Sequence, residues 1–145
     1  MAARTANALW EGSVREGRGQ MSLGSGAFEG AYSFTSRFEE GENGTNPEEL
    51  VAAAHAGCFS MQLSLVLGEN GNEPESIQTQ ASVTLRNLDA GPTITKIALV
   101  TRARVPGLDD AGFQKAAEAA KESCVISRAL AGVEEITLDA TLEET

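Results

Sequence analysis

A long apolar segment with a helix start written into its first residues limits the folds open to this chain. Asn46 is a favoured N-cap residue, and Pro47 suits the first helical position, where its missing N–H costs nothing. Glu49 stands three residues after the cap, placed to reach back and close a capping box. The spacing predicts a helix over 46–67, stopped at Gly68. Val51, Ala54, Cys58, Met61 and Leu65 recur at alternating intervals of three and four, while Ala52, Ala53, Ala56 and Phe59 make the other faces apolar too. A helix that is apolar all round belongs at the centre of a fold, largely buried.

The rest of the chain supplies layers to cover it. Before the helix the sequence is turn-rich and short-stranded. A strand over 8–11 is followed by a glycine-punctuated stretch and a second strand over 31–38, with Tyr32, Phe34 and Ser36 on one face. Those glycines match neither the dinucleotide fingerprint nor the Walker spacing, so they read as hairpin turns. Asn43-Gly44-Thr45 fits the glycosylation pattern, but without an export signal it reads as an Asn-Gly turn. After the helix, residues 82–86 and 94–105 alternate as strands around a turn at Asp89-Ala90-Gly91-Pro92. A helix from Asp109 carries Phe113, Ala116, Ala117, Ala120 and Cys124 on one stripe, a short helical piece over 127–131 ends at Gly132, and a strand over 136–142 follows. The order of strands, helix, strands, helices and strand makes the class α+β. With 145 residues, about one domain's worth, a single domain over 1–145 is expected.

Charge narrows the function. Eleven basic residues against 21 acidic ones give a formal charge of −10, only three of the basic residues are lysines, and the arginines are scattered. Such a surface repels phosphate backbones and anionic lipid, so neither nucleic acid nor a membrane is an expected partner. No signal-peptide h-region opens the sequence and no apolar run approaches the roughly 18 residues of a membrane span, so a cytoplasmic location is expected. Two cysteines in a reducing compartment are poorly explained as a permanent staple.

One histidine and two cysteines are too few soft ligands for a zinc or iron–sulfur site, so no metal is expected. Cys58 and Cys124 each sit on the inward stripe of a different helix, and packing of those helices would bring the sulfurs together. Taken alone, either cysteine is also explained as a small core hydrophobe. A mid-helix Cys58 cannot use its own helix terminus to lower its pKa, so a reactive thiolate needs a cation from another segment. Arg37, at the end of the second strand, is the nearest in sequence, and Glu48 in the first helical turn could hold it in orientation. Full ionisation of a thiol with pKa about 8.5 gains only about tenfold at pH about 7.5, or about 1.4 kcal/mol. The larger contribution must come from aligning the substrate and stabilising the departing oxygen, a task that suits a guanidinium fixed by a carboxylate.

These residues resemble a known family. The runs Phe34-Thr35-Ser36-Arg37-Phe38-Glu39, Gly44-Thr45-Asn46-Pro47-Glu48-Glu49-Leu50 and Ala53-Ala54-His55-Ala56-Gly57-Cys58-Phe59-Ser60-Met61 are similar to the osmotically inducible protein C (OsmC) family of bacterial thiol peroxidases. The likeness continues through Thr95-Lys96-Ile97, Val105-Pro106-Gly107, Cys124 and Ile136-Thr137-Leu138. The resemblance implies strands wrapped around two central helices in an intertwined homodimer, with active sites at the interface. By the same resemblance Cys58 is the peroxidatic cysteine, Cys124 the resolving one, and Arg37 and Glu48 activate the thiolate and orient the peroxide. It further implies organic hydroperoxides as preferred substrates over hydrogen peroxide, a lipoyl-type dithiol as reductant and no bound cofactor. The Phe-x-x-Arg-Phe placement favours the OsmC branch over the organic hydroperoxide resistance (Ohr) branch. Met61, Phe59 and the neighbouring alanines are the expected apolar lining for an alkyl peroxide. Val125 stands after Cys124 where the family often has proline. Two other readings remain open: a noncatalytic stress or ligand-binding protein on the same fold, and a cysteine hydrolase with His55 as base.

Overall fold

Three short strands in the first third pair as an antiparallel sheet in the computed structural model, which describes residues 1–41 and 43–144. Strands β1 (Ala6–Glu11), β2 (Arg18–Leu23) and β3 (Glu29–Tyr32) lie in that order. The register puts Trp10 opposite Gly19 and Gly19 opposite Tyr32. A Cβ on Gly19 would come within 2.5 Å of the Tyr32 ring and 2.6 Å of Trp10. Glycine therefore lets the two rings close over the middle strand, with centroids 5.4 Å apart.

The expected strand over 31–38 ends early. Past Tyr32 the chain turns into a short helix, α1 (Phe34–Phe38). Its cause is a reciprocal cap. The Ser36 amide donates to Ser33 Oγ at 3.1 Å and the Ser33 amide donates to Ser36 Oγ at 2.8 Å, satisfying two N–H groups that an uncapped helix start would leave open. Arg37 therefore rides on a helix, not at a strand end. Ser36 Oγ also donates to the Thr45 carbonyl at 2.8 Å and Asn46 Nδ2 to the Ser36 carbonyl at 3.0 Å, tying α1 to the residues that precede the long helix.

That helix, α2 (Pro47–Glu69), starts as expected, with the Glu49 amide donating to Asn46 Oδ1 at 2.7 Å. The box is only half closed, because the Glu49 carboxylate takes the Thr45 hydroxyl at 2.9 Å. Gly68 does not stop it. The stop is Gly71, at φ +84°, where Asn72 N–H donates to the Leu67 carbonyl and Gly71 N–H to the Gly68 carbonyl, a Schellman cap. The chain divides into two compact units, Met1–Leu50 and Val51–Thr145, and α2 runs through their boundary.

In the second unit, β4 (Ser76–Leu88) and β5 (Gly91–Arg104) form an antiparallel hairpin that continues further than the sequence suggests, taking Gly91 and Pro92 into the ladder. Two helices, α3 (Asp110–Ser123) and α4 (Val125–Ala129), then carry the chain back so that β6 (Glu135–Glu143) pairs parallel to β5. Alternate residues of central β5 (Ile97, Leu99, Thr101, Ala103), continued by Val105, are buried against Phe113, Ala116, Ala117 and Ala120 of α3 and Phe59, Leu63 and Leu67 of α2.

The buried face of α2 differs from the expected one. His55, Phe59, Leu63 and Leu67 are buried, at successive steps of four, whereas Met61 and Leu65 are 77% and 53% exposed. Because every face of this helix is apolar, periodicity could not choose between them. Phe59 is accordingly core, not pocket lining. Contrary to expectation, α2 is also long and apolar enough to cross a membrane by length and composition. Its inner side is nonetheless tied to the surrounding fold: Ser60 Oγ donates to Thr79 Oγ1 on β4 at 2.8 Å, and Thr79 pairs with buried Thr101 on β5 at 2.9 Å.

Candidate active site

Each sulfur reaches its place by a different device. Cys58 lies on α2 next to core residue Phe59, itself half-buried, while Cys124 ends α3, starts α4 and is fully buried. Hydrogen bonds on both sides of the thiols align the helices. Gln62 Nε2 donates to Ser123 Oγ at 2.8 Å, and His55 Nε2 pairs with Ser127 Oγ at 2.7 Å. The result is a Cys58–Cys124 sulfur contact of 3.2 Å between residues 66 apart in sequence, both as free thiols. The helix α4 begins directly at Val125, two residues before the sequence placed it, so the missing proline does not prevent the helix from starting.

The two thiols respond differently to the same neighbourhood. Burial pushes the Cys58 thiol up; amides of Ile126 and Val125 partly oppose this, and Cys124 adds to it. Burial resists ionisation of Cys124 as well, but the Ser127 amide and hydroxyl, the Cys58 thiol and the Ile126 amide outweigh it and hold Cys124 down. Cys124 makes no side-chain cap bond to α4. With both thiols protonated Cys124 donates to Cys58. Burial is the largest influence on the Cys58 thiol, in keeping with its need for a cation.

Arg37 and Glu48 form the second constellation, inside the first unit. Arg37 Nη2 donates to Glu48 Oε1 at 2.7 Å and Nε donates to the same oxygen at 3.0 Å, so the carboxylate holds the guanidinium in two places. The Arg37 side chain is 39% exposed and that of Glu48 12%. An ion pair this open contributes about 0–1 kcal/mol to folding; what it secures is the direction of the fork. Arg37 also lies over the Phe38 ring at 5.2 Å, and it borders a cavity of about 230 Å³ faced by Trp10, Val14, Tyr32, Phe34 and Phe38. Sequence reading missed this aromatic cavity because it placed Phe34 on a strand. The pairing of Trp10 with Tyr32 through Gly19 was the available signal. It also missed Ser127, for which 72 residues of separation from His55 left no local sign.

His55 faces Ser127 from a fully buried position and burial holds its pKa below the usual value. This leaves the hydrolase reading without a base at the surface. Among the described residues, no group of three or more His, Cys, Asp or Glu side chains could hold a metal ion.

A family model described as OsmC-like protein matches residues 39–139. The chain belongs to the OsmC family. Glu48, Cys58 and Cys124 fall inside the matched stretch and Arg37 two residues before it. Peroxiredoxin OsmC of Escherichia coli (strain K12) is 50% identical over 137 residues, 94% of each chain. The organic hydroperoxide resistance protein OhrB of Bacillus subtilis is 26% identical with a TM-score of 0.69, over 96% of this chain and 98% of that one. An organic hydroperoxide resistance protein OsmC from Legionella pneumophila shares the fold, with a TM-score of 0.71 at 21% identity over 99% and 100% of the two chains. The α+β architecture of two sheets and helices is thus that of the OsmC and Ohr proteins.

Proposed function

We propose that this OsmC-family chain is a cysteine-based thiol peroxidase that reduces organic hydroperoxides. The observation that carries the reading is the pair of free thiols in contact at 3.2 Å on the scaffold of a chain half identical to a peroxiredoxin. The Cys58 thiolate attacks the distal peroxide oxygen, the O–O bond breaks, and the alcohol leaves with a proton. Cys58 becomes a sulfenic acid, which condenses with Cys124 to a disulfide and water. An external dithiol of the lipoyl type returns both thiols by exchange.

Arg37 is the cation that Cys58 lacks, and Glu48, by taking the Nε–H and one Nη2–H, fixes the fork and leaves its remaining N–H groups for the peroxide. A donor fixed in advance stabilises the oxygen that gains charge as O–O breaks without reorganising at that moment. The aromatic cavity beside Arg37 takes the alkyl group, and this favours organic hydroperoxides over hydrogen peroxide.

The working form is a homodimer with its active sites at the interface. Ala54, Gly57, Met61 and Leu65 leave one apolar stripe of α2 exposed in the single chain, and small residues along it allow a second copy to approach closely. We place the protein in the cytoplasm, where dithiol reductants are regenerated. Met61→Arg should shift the protein toward monomer in sedimentation; an unchanged dimer would remove α2 from the interface.

The test is peroxide consumption with a dithiol, comparing an alkyl hydroperoxide with hydrogen peroxide, for wild type, Cys58→Ser and Arg37→Ala. Turnover that vanishes in Cys58→Ser and collapses in Arg37→Ala supports the reading. Equal activity in Cys58→Ser, or an inactive wild type with reduced Cys58, would leave a noncatalytic protein on this fold.

A further inference from the structure

Cys124 is the one residue between two helices: α3 ends at Ser123 and α4 starts at Val125. Its backbone, at φ −58° and ψ 125°, leaves the helical region, so no continuous helix carries its side chain to Cys58. The chain on either side of it is held from α2 instead. His55, Cys58 and Gln62 follow at steps of three and four and so share one stripe of that helix. Each meets a residue of the junction between α3 and α4. Gln62 Nε2 lies 2.8 Å from Ser123 Oγ, Cys58 Sγ 3.2 Å from Cys124 Sγ, and His55 Nε2 2.7 Å from Ser127 Oγ. The order along α2 is the reverse of the order along the junction, so a hydrogen bond brackets the sulfur contact on each side.

Both brackets have a defined direction. The single Ser123 hydroxyl hydrogen goes to the Ala119 carbonyl at 2.8 Å, so Ser123 Oγ accepts from Gln62. At the other end His55 is fully buried, and its Nδ1 has no hydrogen-bond partner among the described residues. Burial keeps the imidazole neutral, hence one ring nitrogen carries a hydrogen and the other a lone pair. A hydrogen on Nδ1 would be a buried donor without an acceptor, the rarer defect in folded proteins. The hydrogen is therefore on Nε2, and His55 donates to Ser127. Two directed bonds fix where the junction sits in a way that the apolar packing of Ile126, which has no direction, does not.

We propose that His55 and Gln62 are positioning residues for the Cys58–Cys124 disulfide: by holding Ser127 and Ser123 they keep Cys124 within reach of Cys58. The inference rests on the peroxidase reading, in which this disulfide forms at every turnover. In that step the Cys124 sulfur attacks the sulfur of the Cys58 sulfenic acid. An S–S bond forms as the S–O bond breaks, and the oxygen leaves as water with the thiol hydrogen of Cys124. Cys124 sulfur is oxidised and the sulfenic sulfur reduced. A disulfide holds its sulfurs about 2.0 Å apart, so from 3.2 Å they close by about 1 Å, a shift small enough for side-chain rotation with both brackets kept.

Without a bracket the junction spends part of its time with the sulfurs apart, and the disulfide becomes less favourable by the same factor. A hydrogen bond of ordinary net strength corresponds to about a two- to tenfold factor in an equilibrium. The buried His55–Ser127 bond belongs at the upper end of that range. The Gln62–Ser123 bond, whose serine is exposed, belongs at about twofold.

The experiment is a redox titration of the full-length protein, without peroxide, in buffers of oxidised and reduced dithiothreitol, read by alkylating the remaining thiols. Exchange forms the protein disulfide as it breaks that of the oxidised reagent, whose two sulfurs leave as thiols. The ratio of oxidised to reduced reagent at half oxidation should rise about five- to tenfold in His55→Leu. It should rise about twofold in Gln62→Met, which keeps the chain length without a donor and lies at the open end, away from the core. His55→Gln, which keeps a donor near the place of Nε2–H, should restore the wild-type ratio. Leu67→Ala opens the core further along α2 and should lower stability while leaving the ratio unchanged, which separates position from loosened packing. In a single turnover with an alkyl hydroperoxide, the Cys58 sulfenic acid of His55→Leu should form at the wild-type rate and persist longer by a similar factor. A wild-type ratio in His55→Leu or Gln62→Met, a His55→Gln ratio equal to that of His55→Leu, or a Leu67→Ala shift as large as that of His55→Leu overturns the proposal and leaves the peroxidase reading standing. The expected shifts in a protein that consumes no peroxide uphold the brackets and overturn the peroxidase reading instead.

Discussion

The two units hold their chemical groups in opposite ways. In the second unit the thiols sit beside a packed core, with Cys124 fully buried and hydrogen bonds such as Ser60–Thr79 and Gln62–Ser123 fixing the helix that carries Cys58. In the first unit the arginine and glutamate stand partly open, bound chiefly to each other at the rim of an aromatic cavity. On the proposed cycle the two thiols, 3.2 Å apart, would meet at every turnover, and a rigid frame suits that. The Arg37 guanidinium is both accessible and fixed in orientation by one carboxylate, at little cost to folding.

The contrast predicts that damage to the second unit appears as lost stability and damage to the first as lost rate. Phe59→Ala, which empties a fully buried position beside Cys58, should cost about 3–5 kcal/mol in denaturant unfolding; a cost below about 1 kcal/mol would mean the thiol frame is not a packed one. Arg37→Ala should lower kcat/KM about 10²–10³-fold while changing stability by less than about 1 kcal/mol. Arg37→Lys keeps a charge without the planar fork and should fall between wild type and Arg37→Ala. Equal rates for Lys and Arg would reduce the role of Glu48 to that of a neighbour.

A smaller effect sharpens the same comparison through pH. Burial lowers the His55 pKa in the folded chain, so between that value and the unfolded value of about 6.5 the unfolded chain binds more protons. Stability from this group is therefore full above about pH 6.5 and declines as pH falls toward the folded pKa. Unfolding free energies of wild type and His55→Gln, compared at about pH 7.5 and about pH 5.5, should show the wild type losing more on acidification. Parallel losses would show that His55 exchanges protons freely in the native state.

The parts of this fold that were legible in the sequence are those set by local chemistry. The start of α2 follows from Asn46 and Pro47 and the start of α3 from Asp109, whose carboxylate accepts from the Gly112 amide at 2.8 Å; Cys58 does meet Cys124, but not by the α2 stripe expected for it, whose Met61 and Leu65 are exposed. Other parts were decided at a distance or between equals. Phe34-Thr35-Ser36-Arg37-Phe38 has the aromatic and β-branched content of a strand, and only the Ser33–Ser36 cap, reinforced by the Thr45 carbonyl, turns it into a helix. The inward face of α2 was hidden because all its faces are apolar. Of the candidate site, the cysteines, the arginine and the glutamate could be named from sequence, but the aromatic cavity and the place of Ser127 exist only after the sheets and helices have come together.

The parallel pairing of β6 with β5 has a consequence for the nascent chain. One edge of β5 pairs with β4, its immediate neighbour in sequence, but the other waits for a strand that begins about thirty residues later. At about 5–20 residues per second of synthesis, that edge stands unpaired for seconds, far longer than a hairpin takes to form. An open strand edge is a template for pairing with another chain. During translation, when neighbouring ribosomes on one message hold several copies close together, the free β5 edge is open to pairing between copies until β6 covers it.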